Sequence, residues 1–148
     1  MTVDDLWTLC VDPDAQRYDL SKPFVRDGWR YATNGSICIR IRVEGEPDST
    51  DGKYPKADEL FKGFGRCTRK WPKPTGVGEV VQCPECGEDY VAYPTEVVGI
   101  RRIAAKYADP LYECGAMFRP KGGADELLMF QIGEIQGIVM PKGKHSDD

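Results

Sequence analysis

The residues of this chain with the clearest chemical potential are two cysteines in the stretch Cys83-Pro84-Glu85-Cys86-Gly87. Two thiolates at this spacing can bind one tetrahedral metal ion, and the glycine that follows lets the chain turn beneath the sulfur atoms. Cys67 precedes Cys83 by sixteen residues, a separation that suits a zinc ribbon. We therefore predict a structural zinc site with Cys67, Cys83 and Cys86 as ligands.

A closed structural zinc site has four ligands, so this set is one short. The residue three positions after Cys67 is Lys70, which cannot bind zinc while charged. The fourth ligand stays open among Cys114, Cys38, His145, a carboxylate and water. A loop with free thiols, or a degenerate ribbon that binds no metal, is the alternative interpretation. Redox use of the Cys-x-x-Cys pair is less favoured, because no βαβ pattern accompanies it.

Basic and aromatic residues are interleaved between positions 61 and 78, and no acidic residue falls among positions 62–78. Cations contact phosphates and aromatic faces stack on bases, so this stretch is a candidate to contact single-stranded nucleic acid. A solvated loop whose aromatic residues Phe61, Phe64 and Trp71 anchor it to the body is the alternative. The residues predicted to contact nucleic acid are Lys62, Arg66, Arg69 and Lys70 of this stretch, and Arg101, Arg102 and Lys106 of a predicted helix.

Enzymatic chemistry has little support in the sequence. The single histidine, His145, lies in a polar tail, so no Ser-His-Asp or Cys-His arrangement is expected in a folded core. No glycine-rich phosphate loop followed by Lys and Ser or Thr is present. We predict that the protein is not an enzyme and takes no small-molecule substrate.

Two stretches far apart in the chain carry the same helical pattern. Apolar residues recur at i, i+3, i+4 and i+7 in Val3–Cys10 and again in Ile100–Ala108, and an Asp-Pro pair closes each stretch. Thr2 is a candidate to cap the first helix, with Asp5 completing a capping box. The pattern predicts two helices of similar length, the second with Arg101, Arg102 and Lys106 on its polar face.

Each predicted helix is followed by a set of strands. Asp27-Gly28 and Asn34-Gly35 indicate tight hairpin turns in the first set. The alternation from Ile37 to Val43 is the clearest strand pattern in the chain. The strand candidates are 17–20, 23–26, 29–33 and 36–43 after the first helix, and 111–114, 116–119, 127–132 and 134–140 after the second.

Residues 44–94 separate the two units and are predicted to be an insertion. Residues 44–53 are polar and rich in glycine, proline and aspartate, which indicates an exposed loop. A short helix is predicted at 57–61, and strands at 79–82 and 89–93 flank the cysteine pair. The predicted fold is a single α+β domain over residues 1–148, made of duplicated αβββ units, with a zinc-ribbon-like module inserted at 44–94.

This doubled pattern resembles one domain of the DNA sliding clamps, in particular the bacterial polymerase β clamp. Trp29-Arg30-Tyr31-Ala32-Thr33-Asn34-Gly35-Ser36 is similar to a clamp strand-turn signature in which Asp is common where Asn34 stands here. Ile138-Val139-Met140-Pro141 is similar to the closing strand of the clamp chain. The resemblance implies a DNA-clamp-like fold, with DNA or replication and repair proteins as partners. A ring needs six such domains, so the resemblance leaves homo-oligomerisation open.

Composition sets the remaining expectations. The net charge of −4, with 41% apolar and 30% charged residues, is typical of a soluble globular protein with one core. No apolar run has membrane-spanning length and the N-terminus has no secretory signal pattern, which predicts a cytoplasmic protein without membrane contact. The leading hypothesis is a non-enzymatic clamp-like binding module in nucleic-acid metabolism. The alternative is a protein–protein interaction module with a structural zinc site and no nucleic-acid contact.

Overall fold

The computed structural model of the chain describes residues 2–16, 18–71, 80–82, 89–94, 100–119 and 126–141, with side chains described outside 80–82, 89–94 and 100–102. These residues form an α+β fold that contains two α-helices and a seven-stranded antiparallel open sheet. The helices are α1 (Val3–Leu9), a 3-10 helix (Ala57–Phe61) and α2 (Ala105–Glu113). The strands are β1 (Phe24–Arg26), β2 (Trp29–Thr33), β3 (Ile37–Arg42), β4 (Arg69–Lys70), β5 (Val80–Gln82), β6 (Asp89–Pro94), β7 (Ile100–Ala104), β8 (Met117–Arg119), β9 (Leu128–Ile132) and β10 (Ile135–Val139).

The large sheet has the strand order β1-β2-β3-β10-β9-β8-β4. Helix α1 precedes the consecutive strands β1 to β3, and α2 precedes the consecutive strands β8 to β10. The last strands of the two sets pair with each other, with Gly137 opposite Ile39. A second antiparallel sheet has the order β5-β6-β7, and β7 leads directly into α2. No helix among the described residues is both long and apolar enough to cross a bilayer.

The first predicted helix and the Asp27-Gly28 turn are confirmed, whereas at Asn34-Gly35 only Gly35 (φ 91°) has positive φ, and the Asn34 amide donates to the Ile37 carbonyl at 3.3 Å, so Gly35 and Ser36 form the centre of that turn. Thr2 Oγ1 accepts a hydrogen bond from the Asp5 amide at 3.2 Å, and the Thr2 amide donates to Asp5 Oδ2 at 2.9 Å. This capping box satisfies two amides that have no partner within a helix. Asp27 (φ 51°) and Gly28 (φ 80°) form the two-residue turn between β1 and β2, the left-handed geometry that the Asp-Gly pair predicted.

The prediction for the second helix is wrong at both ends. Residues 100–104 form β7, which pairs with β6, so Arg101 and Arg102 lie on a strand and not on a helix face. Helix α2 then continues through Pro110 to Glu113 and replaces the strand predicted at 111–114. Apolar residues at helical spacing can also belong to a strand when a neighbouring strand supplies backbone partners, and here β6 does so.

The strand predicted at 17–20 is also wrong over its described residues 18–20: Leu20 makes an isolated bridge, in which the Asp12 amide donates to its carbonyl at 2.7 Å, and residue 17 lies outside the description. The predictions for 23–26, 29–33, 36–43, 79–82, 89–93, 116–119, 127–132 and 134–140 correspond to observed strands, with bounds that differ by a few residues at most. Strong alternation and clear turn residues made these strands recognisable.

Two apolar clusters cover the two faces of the large sheet. One contains Leu6, Leu111, Ile39 and Phe130, and joins the sheet to both α-helices. The other joins Phe24, Tyr31, Cys38 and Ile138 of the sheet to Tyr54, Ala57 and Phe61. We call residues 44–64 the cover segment, because its apolar side chains pack on the sheet face opposite the helices. Residues 44–53 have no helix or strand, as predicted, and the helix predicted at 57–61 is the 3-10 helix. The first part of the predicted insertion thus supplies part of the core.

Candidate nucleic-acid interface

The four basic residues predicted between positions 62 and 70 lie along one exposed stretch, which runs from the end of the 3-10 helix to a strand at the edge of the large sheet. Lys62, Arg66, Arg69 and Lys70 are all exposed. Arg69 and Lys70 form β4, which pairs with β8 and is the last strand of the large sheet among the described residues. Within the described part of the chain, none of the four cations forms an ion pair with a carboxylate. We call these four residues the basic edge.

The aromatic residues near the basic edge serve mainly to anchor it. Trp71 is 1% exposed and lies edge-on to Phe118 and Phe130, with ring centroids at 5.5 and 6.0 Å. Phe61 is also buried, in the cluster under the cover segment, and Phe64 packs against it half-buried. Two of the three aromatic faces are therefore unavailable to stack on bases, and the alternative interpretation of aromatic anchoring holds for Phe61 and Trp71.

A fifth cation, Arg119 of β8, lies beside the basic edge and was missed in the sequence. Its guanidinium group packs against Gly65. A Cβ atom on Gly65 would lie only 1.1 Å from Arg119 Nη1. Gly65 is therefore the residue that permits this approach. The guanidinium also lies near enough to favour the thiolate of Cys67, although burial dominates and raises the pKa of Cys67 to about 11. No local sequence signal linked residues so far apart.

The helices do not present the basic surface that the prediction assumed. Lys106 is exposed on α2, with its Nζ atom 5.3 Å from the centre of the Tyr107 ring. Asp109 and Glu113 are exposed on the same helix, and Asp4 and Asp5 are exposed on α1. The side chains of Arg101 and Arg102 are not among those that the structure describes. Among the described side chains, the exposed helix surface thus carries more carboxylates than cations.

Of the three predicted metal ligands, Cys67 alone lies in the part of the chain that the structure describes. Cys83 and Cys86 lie outside the described residues, in the connection between the paired residues Gln82 of β5 and Asp89 of β6. Cys67 is 8% exposed, and its thiol donates to the Gly65 carbonyl at 3.7 Å. Within the described ranges, no three side chains of His, Cys, Asp or Glu are grouped to bind a metal ion.

Two of the candidates for a fourth ligand, Cys38 and Cys114, are described and lie in different environments. Cys38 is buried under the cover segment, and that burial raises its pKa to about 12. Cys114 follows α2, and its thiol lies 3.9 Å from the Thr2 carbonyl. His145 lies outside the described residues. Burial also raises the pKa of Cys10, so Cys10 and Cys38 are neutral thiols at physiological pH.

Asn34 connects the β2–β3 turn to both helices. Its Oδ1 accepts hydrogen bonds from the Ser36 and Ile37 amides at 2.9 and 3.1 Å. Its Nδ2 donates to the Leu9 carbonyl at 3.3 Å and to the Tyr107 hydroxyl at 3.0 Å. An aspartate can make the first two bonds but cannot donate the others. This gives a physical reason for asparagine, and not aspartate, at this position.

Arg40 of β3 is held by aromatic and polar side chains of the sheet and the cover segment. Its guanidinium carbon lies 3.9 Å from the Trp29 ring centre and 4.2 Å from that of Phe61. Its Nε donates to Gln136 Oε1 at 2.9 Å, and its Nη1 donates to the Tyr31 hydroxyl at 3.3 Å. These contacts fasten the cover segment to the sheet, so Arg40 is a structural cation and not part of the basic edge.

Comparison with protein-family models, with curated proteins and with solved structures finds no match to this chain.

Proposed function

We propose that this protein is a non-enzymatic binding module that contacts single-stranded nucleic acid through the basic edge. One observation carries the proposal: Lys62, Arg66, Arg69 and Lys70 are exposed together, and no described carboxylate pairs with any of them. Phosphates would supply the counter-charge, and the release of their bound ions drives such binding. The alternative to nucleic-acid binding is that the charges on this edge strand only prevent its pairing with the sheets of other molecules.

The scaffold of this module is a duplicated αβββ domain of the sliding-clamp type. The order of elements supports this proposal, because each α-helix is followed by three consecutive strands and the third strands meet at the centre of the sheet. The carboxylates on the helices argue against a DNA-facing helix layer like that of a closed clamp. We therefore place the contact at the sheet edge and expect a single copy of the chain to suffice.

Chemistry by the described thiols is disfavoured, which supports a role in binding. Cys10 and Cys38 are buried and neutral, whereas a nucleophilic cysteine needs an accessible thiolate. The only histidine belongs to the polar C-terminal tail.

A structural zinc ion at Cys83 and Cys86 is part of the proposal. The β5–β6 hairpin supports it, because paired strands on both sides of a Cys-x-x-Cys turn are typical of zinc ribbons. Elemental analysis of protein purified without a metal column should find about one zinc ion per chain. A zinc-free, folded protein would contradict this part. Cys67→Ser then tests the third ligand, because a lost ligand should weaken zinc retention against a chelator.

Binding of a labelled oligonucleotide at varied salt concentration tests the main proposal. Affinity should fall as salt rises, with a log–log slope of about −0.7 for each phosphate contact. The double variant Arg66→Glu/Arg69→Glu should flatten this slope, whereas Lys106→Glu on α2 is the control and should change it little. Absence of binding at low salt would overturn the proposal and favour the protein–protein interaction module. An equal loss of oligonucleotide affinity in both variants would indicate that the helices also contact the nucleic acid.

A further inference from the structure

A cavity of about 670 Å³ opens where the cover segment meets the β2–β3 turn. Its lining includes Tyr54, Lys56 and Leu60 of the cover segment and Thr33 of β2. Leu60 is 43% exposed, and it also lines an adjoining cavity of about 210 Å³. Pockets for small organic groups commonly measure about 300 to 1,000 Å³, so the larger cavity has a suitable size. We call it the Leu60 cavity.

The charge around the Leu60 cavity favours an anionic ligand. Arg26, Lys53 and Lys56 line it, against the single carboxylate of Glu59. Arg26 lies 3.8 Å from Asp58 and is partly neutralised. In the part of the chain that the structure describes, neither Lys53 nor Lys56 has a carboxylate partner. Two lysines at the rim of a cavity are therefore available to an incoming anion.

The walls of the cavity include planar side chains, and contacts with neighbouring residues hold these side chains in position. Tyr54 stacks on Phe24 with ring centroids 4.8 Å apart, and its hydroxyl donates to Asp51 at 2.6 Å. Tyr18 lies beneath Lys53, whose Nζ atom is 5.5 Å from the ring centre. Arg26 adds a guanidinium group, which donates to the Pro55 carbonyl at 3.2 Å. Aromatic and guanidinium planes are the groups on which unstacked bases are held.

The 3-10 helix links the lining of the cavity to the first residue of the basic edge. Lys56 immediately precedes the 3-10 helix Ala57–Phe61, and Lys62 immediately follows it. Leu60, on the same short helix, lines the cavity. A chain of phosphates that follows the basic edge can therefore continue past this helix to the rim lysines.

We propose that the Leu60 cavity accepts one unstacked base of a single-stranded nucleic acid, with the adjacent phosphates on Lys53 and Lys56. This inference rests on the proposed function, and it adds a contact to the base where the basic edge supplies contacts to phosphates. The apolar wall and exposed Leu60 fit the base, and the two lysines, which have no carboxylate partner among the described residues, fit the adjacent phosphates. The contact involves stacking and shape, so it tolerates different bases.

The test compares two labelled oligomers with equal numbers of phosphates, an oligothymidylate and the same backbone with abasic sites throughout. The unmodified protein should bind the thymidylate about tenfold more tightly or better, because a stacked base contributes that much. Leu60→Glu should remove the difference, since it places a carboxylate in the cavity. Val3→Glu is the matched control: Val3 is an exposed apolar residue of α1, at 39%, outside the cavity lining.

The outcomes separate the two proposals. Equal affinity of the unmodified protein for both oligomers, with a salt-dependent slope, would overturn the base contact and leave the basic edge intact. No salt-dependent binding of either oligomer would overturn the proposed function, and the base contact with it. A loss in Val3→Glu equal to that in Leu60→Glu would also overturn the role of the cavity. The comparison on the unmodified protein requires no variant to fold.

Discussion

The two halves of the large sheet use the same order of elements and differ in how their helices begin and end. In the first half (α1 to β3), helix α1 begins at a capping box and ends before Asp12-Pro13. In the second half (α2 to β10), helix α2 begins at Ala104 without a side-chain cap and continues through Pro110. Proline removes one hydrogen bond from the interior of α2, but Tyr107, Ala108 and Leu111 are all buried. Packing therefore outweighs a local stop signal in one half and not in the other.

The halves also differ in which strand carries the large side chain of a facing pair. It is the third strand of the first half (β3) and the second strand of the second half (β9). In the first half, Ala32 of β2 faces Ile39 of β3. In the second half, Phe130 of β9 faces Gly137 of β10, and a Cβ atom on Gly137 would lie 2.1 Å from the Phe130 ring. Both pairs combine a small residue with a large one, but the order is reversed. The core of the second half therefore depends on one aromatic ring seated over a glycine.

Truncation of that ring should have the largest effect on stability. Phe130→Ala should lower the free energy of unfolding by about 3–5 kcal/mol, because a fully buried phenyl group leaves a cavity. Denaturant unfolding measures this change. Ile39→Val in the first half is the control and should cost about 0.5–1.5 kcal/mol. Equal costs would mean that the two halves do not differ in this way.

Filling the space over Gly137 should have the next largest effect. Gly137→Ala should cost about 1–3 kcal/mol, because the added methyl group meets Phe130. In a Phe130→Leu background the added cost should shrink, because the smaller side chain leaves space for the methyl group. A double-mutant cycle of unfolding free energies measures the coupling. Strictly additive costs would show that the clash does not govern this site.

Asn34→Asp tests the turn that joins the first half to both helices. The aspartate retains the two bonds to backbone amides and loses the two donated bonds, at a cost of about 1–2 kcal/mol. Thermal or denaturant unfolding at neutral pH measures this loss of stability. Tyr107→Phe removes only one of the two acceptors and should cost less. A neutral Asn34→Asp would show that the amide donors do not matter.

The capping box of α1 has no side-chain counterpart on α2, and its removal should cost less again. Thr2→Ala should lower stability by about 1 kcal/mol, because one amide of the first turn loses its partner. Thr8→Ala on the same helix is the matched control, because its hydroxyl donates only to the Asp4 carbonyl. Unfolding curves of both variants give the comparison. Equal costs would assign the effect to helix propensity and not to the cap.

The smallest predicted effect concerns the cover segment, which packs mainly on strands of the first half. Hydrogen bonds from Lys22 and Tyr54 lower the pKa of Asp51 to about 2. A depressed pKa in the folded state stabilises the protein above the unfolded value near 4, and this contribution disappears as the pH falls from about 4 to 2. Asp51→Asn should therefore lower the melting temperature slightly at neutral pH and much less at pH 2. Tyr54→Phe should show a weaker pH dependence of the same sign. If Asp51→Asn lowered the melting temperature as much at pH 2 as at neutral pH, the effect would not come from the ionised Asp51 carboxylate.

Local signals predicted those elements whose residues favour one structure clearly. The capping box, the Asp27-Gly28 turn and the alternation through β3 each have one favoured geometry, and all three appear. Residues 100–104 have apolar spacing that suits a helix or a strand, and pairing with β6 decided it. The site follows the same division. The exposure of the basic edge followed from its composition, whereas Arg119 beside Gly65 and the Leu60 cavity depend on contacts between distant segments.

The sequence by itself determined the α+β class, most strands and the position of the cations, because backbone preference and side-chain periodicity act over a few residues. Only the tertiary structure decided where α2 begins, which aromatic residues are buried, and that the cover segment closes the second face of the sheet. These outcomes depend on which distant surfaces lose water together. Burial of Trp71 and Phe61 outweighs the polarity of the loops that carry them, and no local pattern records that balance.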